Sequence, residues 1–186
     1  MSPINSICVY CGSQNGNDPI FLNAAKITGQ VIAQNELSLV YGGGSNGIMG
    51  EISNSVLENG GRITGIIPHF LMADEGSHAN SENCEVFVTE NMHERKRMMF
   101  EKSDAFLALP GGIGTLEEIV EIMTWAQLGR HNKPIAFLNT DQFWGPLLDL
   151  VEHMKSAGFI HSARRLNYIV SDNPSDVIRQ IQLSAN

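Results

Sequence analysis

The run Pro110-Gly111-Gly112-Ile113-Gly114-Thr115-Leu116-Glu117-Glu118 concentrates glycines, a hydroxyl and a pair of carboxylates in one short stretch. It follows a strand-like apolar run, Ala105-Phe106-Leu107-Ala108-Leu109, and opens a helix-like run from Leu116 to Leu128. Glycines at a strand-to-helix junction leave backbone N–H groups uncovered at the positive end of the helix dipole, where an anion is stabilised. Glu118 then falls one turn in, close to whatever carries that anion. A phosphate cradle beside a carboxylate suits bond cleavage in a phosphorylated substrate, the carboxylate stabilising positive charge or activating water.

A second group, Met92-His93-Glu94-Arg95-Lys96, begins another helix at the end of a strand-like run. Cations in a first turn oppose the dipole at a cost of a few tenths of a kcal/mol each, which a docking anion would offset. Arg95 shares a helical face with Met98 and Met99, so it points partly inward. An arginine stem covering apolar surface and paired with a nearby carboxylate accounts for the same spacing. Acids in the first turn of a helix commonly just complement its dipole, and this ordinary reading applies to Glu117 and Glu118. The adjoining glycine pair and the apolar neighbours Ile122 and Trp125 favour a pocket at Glu118. On this helix Leu116, Ile119, Val120 and Met123 form the expected core stripe. Glu117, Glu121 and Thr124 lie on one flank, and Glu118 lies nearly opposite the stripe.

The elements that must hold these groups alternate along the chain. Strands are expected at 7–11, 37–41, 62–67, 84–89, 105–109, 135–138 and 168–170. Helices are expected at 19–34, 48–58, 92–101, 116–128, 145–155 and 174–183. Short apolar strands separated by amphipathic helices specify an α/β fold: a doubly wound, Rossmann-like parallel sheet of about seven strands, covered on both faces. One domain over residues 1–186 is expected. The polar stretch from His69 to Asn83, which includes Gly76, shows neither period and reads as a surface loop or a lid over ligand.

Ligands bind such sheets at the carboxyl ends of the strands. Small residues crowd three of those ends: Gly12-Ser13, Gly42-Gly43-Gly44-Ser45 and Gly111-Gly112. Gly42, Gly44 and Gly47 satisfy G-x-G-x-x-G, but after the second strand rather than the first. The stretch Gly65-Ile66-Ile67-Pro68-His69 offers no acid for ribose hydroxyls, so a mononucleotide pocket ranks above a dinucleotide one. No Gly-Lys dipeptide exists for a Walker loop.

With 186 residues, 42% of them hydrophobic, the chain is long enough for a sizeable core. A net charge of −8 argues against a nucleic-acid-binding surface. No apolar run approaches a membrane span, and no leader pattern opens the chain, so a cytoplasmic protein is expected. Cys8-x-x-Cys11 lies in a strand, where side chains three apart face opposite sides. Structural thiols are therefore expected rather than a redox or zinc site.

Met92-His93-Glu94-Arg95-Lys96 followed by Pro110 to Glu118 closely resembles the Lonely Guy family of cytokinin-activating phosphoribohydrolases, whose motif reads PGGxGTxxE after an upstream RK pair. Cys11-Gly12-Ser13, Val40-Tyr41-Gly42-Gly43-Gly44, Gly47-Ile48-Met49-Gly50 and Thr124-Trp125-Ala126-Gln127-Leu128-Gly129 extend the resemblance over most of the chain. It implies hydrolysis of the N-glycosidic bond of a nucleoside 5′-monophosphate, a cytokinin riboside monophosphate or AMP, giving the free base and ribose 5-phosphate. It implies Arg95 and Glu118 as the catalytic pair. Gly111, Gly112, Ile113, Gly114, Thr115, Leu116 and Glu117 would hold phosphate and ribose, helped by Lys96 and Thr124. Met92 would flank the base, and Glu75 would touch substrate from the irregular loop. That loop is longer than the family pattern, and 82–91 differs in composition, differences that bear on base preference.

The implied reaction uses water and calls for no metal or redox cofactor. A homodimer with sites near its interface is implied too, and Ile122, Trp125, Met98, Met99 and Phe100 suggest apolar surface beyond one core. A nucleotide carrier with the same pocket and no turnover is the first alternative. A pyridoxal-phosphate decarboxylase needs a Schiff-base lysine, and of Lys26, Lys96, Lys102, Lys133 and Lys155 only Lys96 falls near the motifs. An NAD-linked oxidoreductase lacks its ribose acid.

Overall fold

Side chains of the first strand, β1 (Ser6–Tyr10), alternate between two cores: Ile7 and Val9 face one, Cys8 and Tyr10 the other. A strand buried on both faces needs helices above and below, and the remaining chain supplies them. In the computed structural model, which describes residues 3–75, 78, 80–160 and 166–184, α1 (Pro19–Gln34), β2 (Ser38–Tyr41), α2 (Gly47–Glu58) and β3 (Arg62–Pro68) follow. A 3-10 turn (His69–Leu71) and α3 (Met72–Glu75) lead to β4 (Cys84–Thr89) and α4 (Met92–Glu101). The chain continues as β5 (Ala105–Ala108), α5 (Ile113–Gln127), β6 (Ile135–Leu138), α6 (Gly145–Ser156), β7 (Ile169–Ser171) and α7 (Pro174–Leu183).

The strands form one seven-stranded sheet in the order β4-β3-β2-β1-β5-β6-β7, every pairing parallel. Residues of α1, α2 and α7 pack one face through Ala25, Ile32, Ile52, Val56 and Ile178. Residues of α4, α5 and α6 pack the other through Met99, Ile119, Ile122 and Val151. The expected doubly wound α/β fold is the one observed. Cys8 and Cys11 are both buried and belong to different cores. Burial pushes the Cys8 thiol up to about 12, so it holds its proton and is no nucleophile.

Several helix starts are written locally. Asp18 accepts a bond from the Ile20 N–H at 2.9 Å ahead of Pro19, and Asn91 accepts from the Glu94 N–H at 3.0 Å. The Glu94 carboxylate in turn accepts from the Glu90 N–H at 2.9 Å, locking the entry to α4. By contrast α5 has Gly112 at its cap and no side-chain cap bond.

Three expectations need correction. Helix α5 begins at Ile113, before the first residue of its apolar period, so Glu117 and Glu118 lie beyond its first turn and do not simply complement the dipole. Its buried face is Thr115, Glu118, Ile119, Ile122 and Met123. Val120 is exposed, and Glu118 lies on the inward side rather than opposite it. The stretch after β3 contains the 3-10 turn and α3, both too short to show a period, while Gly76 lies outside the described residues. No helix among the described residues is long and apolar enough to cross a membrane.

Candidate active site

The strand order reverses between β1 and β5, and the chain leaves these neighbours in opposite directions, opening a crevice at their carboxyl ends. A cleft of about 350 Å³ occupies this place. Its β1 side is Tyr10, Cys11, Gly12 and Ser13, and its β2 side is Gly42 with Met49 of α2. Met92 and Arg95 of α4 form another wall, and Gly112, Ile113, Gly114, Thr115, Glu117 and Glu118 form the wall built by α5. The three small-residue loops converge because β2, β1 and β5 are adjacent in the sheet.

At the start of α5 the backbone is left exposed to the cleft. With no side-chain cap, the first N–H groups of the helix face the cleft at the positive end of its dipole. A Cβ on Gly111 would fall 2.2 Å from Thr115 Oγ1 and 2.8 Å from the Gly12 nitrogen, so the turn closes only with glycine there. A Cβ on Gly112 or Gly114 would meet nothing within 4 Å, which leaves open space for an incoming group.

Arg95 and Glu118 meet at the inner end of the cleft, 6% and 8% exposed. Arg95 Nη2 lies 3.8 Å from Glu118 Oε1, an ion pair longer than a direct hydrogen bond. The same Nη2 donates to the Gly42 carbonyl at 3.3 Å, and Nη1 approaches Met92 Sδ at 3.7 Å. A Cβ on Gly42 would stand 2.1 Å from Nη2, so Gly42 makes room for the guanidinium. Arg95 Nε is buried and has no hydrogen-bond partner among the described residues. Buried donors are rarely left so, and this one is available to a ligand oxygen. Burial, reinforced by Cys8 and Glu118 nearby, pushes the Tyr10 phenol well above its usual range, so it stays neutral beside the cleft.

The remaining sequence candidates separate. Lys96 and Thr124 do not line the cleft. Lys96 Nζ donates to Glu117 Oε1 at 2.6 Å and to Glu121 Oε1 at 3.1 Å, while Thr124 Oγ1 donates to the Val120 carbonyl at 2.8 Å. Leu116 is half-buried behind the helix start. Glu75 closes α3, and its side chain lies outside the described residues. From that segment Leu71 reaches the cleft instead. Leu71 and Tyr10 escaped the sequence reading because an apolar wall residue looks like any core residue. Tyr10's place at the end of β1, leading into Gly12-Ser13, was the one signal present. A larger hollow of about 540 Å³ beside β4, lined by Arg62 and residues 80–87, has neither a helix N-terminus nor a buried charge on its wall.

The family model described as "Possible lysine decarboxylase" matches residues 49–181. No lysine lines the cleft among the described residues, so that description finds no Schiff-base candidate here. A probable cytokinin riboside 5′-monophosphate phosphoribohydrolase of Oryza sativa subsp. japonica is 44% identical over 183 residues, 98% of this chain and 79% of the relative. A cytokinin riboside 5′-monophosphate phosphoribohydrolase of Arabidopsis thaliana is 40% identical over 97% of this chain and 78% of its own. One from Rhodococcoides fascians is 41% identical over 95% and 89%. Among solved structures, the molybdenum cofactor binding protein of Rippkaea orientalis superposes with a TM-score of 0.69 at 22% identity over the whole of both chains. The Moco carrier protein of Chlamydomonas reinhardtii gives 0.70 at 21% over 98% of each. At such identities the structural likeness speaks for the fold alone. The sequence relatives speak for more: the chain belongs to the Lonely Guy family of cytokinin riboside 5′-monophosphate phosphoribohydrolases.

Proposed function

We propose that this protein hydrolyses the N-glycosidic bond of a nucleoside 5′-monophosphate, a cytokinin riboside monophosphate or AMP, to free base and ribose 5-phosphate. One observation carries the reading: a buried Arg95–Glu118 pair at the inner end of a cleft whose outer wall is the uncapped start of α5. The 5′-phosphate docks on the N–H groups of residues 112–115, and that remote binding energy holds the anomeric carbon against Glu118. As the bond from C1′ to the base nitrogen breaks, positive charge grows on the ribose, and the carboxylate stabilises it. Water adds its oxygen to C1′. Glu118 accepts a proton from that water and releases it to solvent, from which the departing base nitrogen takes one up. Arg95 holds Glu118 in place and keeps its charge compensated in the low-dielectric cleft. Met92 and Leu71 offer an apolar flank to the base.

The reading extends to a cytoplasmic homodimer. The homodimer's support is exposed apolar surface along α5 beside the cleft, and here the residues differ from those the sequence suggested. Ile122 and Met99 are core, whereas Ile113, Val120 and Leu128 are exposed.

The test is incubation with AMP and with isopentenyladenosine monophosphate, followed by chromatography of the released base. Release from either supports the assignment and ranks the two bases. Tight binding of both with no release would leave a nucleotide-binding protein without turnover.

A further inference from the structure

Lys96 and Glu121 lie outside the cleft, yet they connect the two helices that carry the catalytic pair. Lys96 follows Arg95 on α4, and Glu117 precedes Glu118 on α5. Lys96 Nζ bonds Glu117 at 2.6 Å and Glu121 at 3.1 Å, with its side chain 12% exposed. Glu117 and Glu121 are one helical turn apart, so one ammonium between them fixes α4 against α5 in both height and rotation. Burial opposes the Lys96 charge, but the two carboxylates outweigh it and hold the ammonium above its usual range. Arg95 and Glu118, one residue along on each helix, face each other at 3.8 Å across the same two helices, so their separation follows how α4 and α5 are set against each other. Phe100 of α4 meets Trp125 of α5 edge-on at 5.0 Å, but that contact sits farther along both helices.

We infer that Lys96 and Glu121 are positioning residues: a strut between α4 and α5 that sets the Arg95–Glu118 separation without touching substrate. This rests on the phosphoribohydrolase reading above. A displacement of about 1 Å at a reacting group costs about 10²-fold in rate. Glu121→Ala is the discriminating variant, because it removes one anchor of the strut and leaves the cleft wall intact.

Steady-state kinetics and AMP calorimetry on Glu121→Ala, Lys96→Met and Lys96→Arg test the assignment. In Glu121→Ala, kcat falls by about tenfold or more while KM and the AMP Kd stay within about threefold. Lys96→Met lowers kcat at least as far, and Lys96→Arg keeps most of it. A Glu121→Ala enzyme with wild-type kcat overturns the strut. So does a Lys96→Met defect confined to AMP affinity, which would assign Lys96 to the substrate. If the wild-type protein releases no base, the functional reading fails separately. The strut is then judged by amide exchange over residues 113–121 with AMP bound: faster exchange in Glu121→Ala and Lys96→Met supports it, and unchanged exchange overturns it.

Discussion

Gly111, Gly112 and Gly114 are indistinguishable as letters and differ in purpose. Gly111 is required by packing, since any side chain there would strike Thr115 and the Gly12 backbone. Gly114 is helical and its missing Cβ points into open cleft. Alanine at 114 therefore favours the helix by up to about 1 kcal/mol. Its methyl also obstructs the anion path, weakening AMP by about tenfold or more, which is about 1.4 kcal/mol. A thermal midpoint that holds or rises alongside lost AMP affinity is the expected pair of readings. Unchanged affinity would remove the phosphate from this helix start. Glu118→Gln makes the complementary test, because it keeps shape and removes charge. Base release should fall by about 10²- to 10⁴-fold with AMP still bound, as loss of a catalytic carboxylate demands. Retained turnover would take Glu118 out of the reaction.

Helix α5 shows where hydropathy runs out as a guide to elements. Its apolar period begins at Leu116, yet the backbone turns helical at Ile113, because Gly112 ends the β5 loop in an extended conformation. The phase then differs as well: a buried set containing Thr115 and Glu118 is invisible to a search for apolar stripes. Strands were easier to read, since parallel strands buried on both faces are continuous apolar runs, and Ile135–Leu138, buried throughout, coincides with expectation, as does the half-exposed edge strand Cys84–Thr89. Of the site, Arg95 and Glu118 were named as a pair only through the family resemblance of their two motifs, since spacing alone left the arginine's partner open, while the Lys96–Glu117–Glu121 bridge needed the distance between two helices. The far end of α5 carries a pH-sensitive joint. His131 Nε2 donates to the Ile122 carbonyl at 3.0 Å, and its Nδ1 accepts from the Lys133 N–H at 3.1 Å, so the ring is neutral. Burial first, and the Lys133 charge with it, outweighs the Ile122 carbonyl and lowers the ring below its ordinary 6.5. As pH falls below 6.5 the unfolded chain takes up a proton that the folded chain refuses, so stability declines over that interval. Melting curves from pH 7 downward should show this decline, and His131→Gln should flatten it. An equal slope in the variant would place the sensitive group elsewhere.

At the scale of the whole molecule, a net charge of −8 repels a phosphorylated substrate at long range. Attraction must come at short range, from helix N–H groups and Arg95, and such interactions strengthen when water is excluded. The cleft as it stands is open on the α5 side. Ile113 lines it and is 81% exposed, and Val120 on the same helix and Leu128 just past its end continue an apolar track at 40% and 57%. Spacings of seven and eight residues keep the three on one face, next to the Lys96 bridge. A second copy packed on this track would bury that surface and close the open side of the cleft at once. Sedimentation should therefore give about twice 20.4 kDa for the wild-type protein. The double variant Val120→Glu, Leu128→Glu places charges across the two-fold contact and should sediment as a monomer. Its AMP affinity should fall although neither residue lines the cleft. A wild-type monomer, or a monomeric double variant with full activity, would show that each cleft is complete within its own chain.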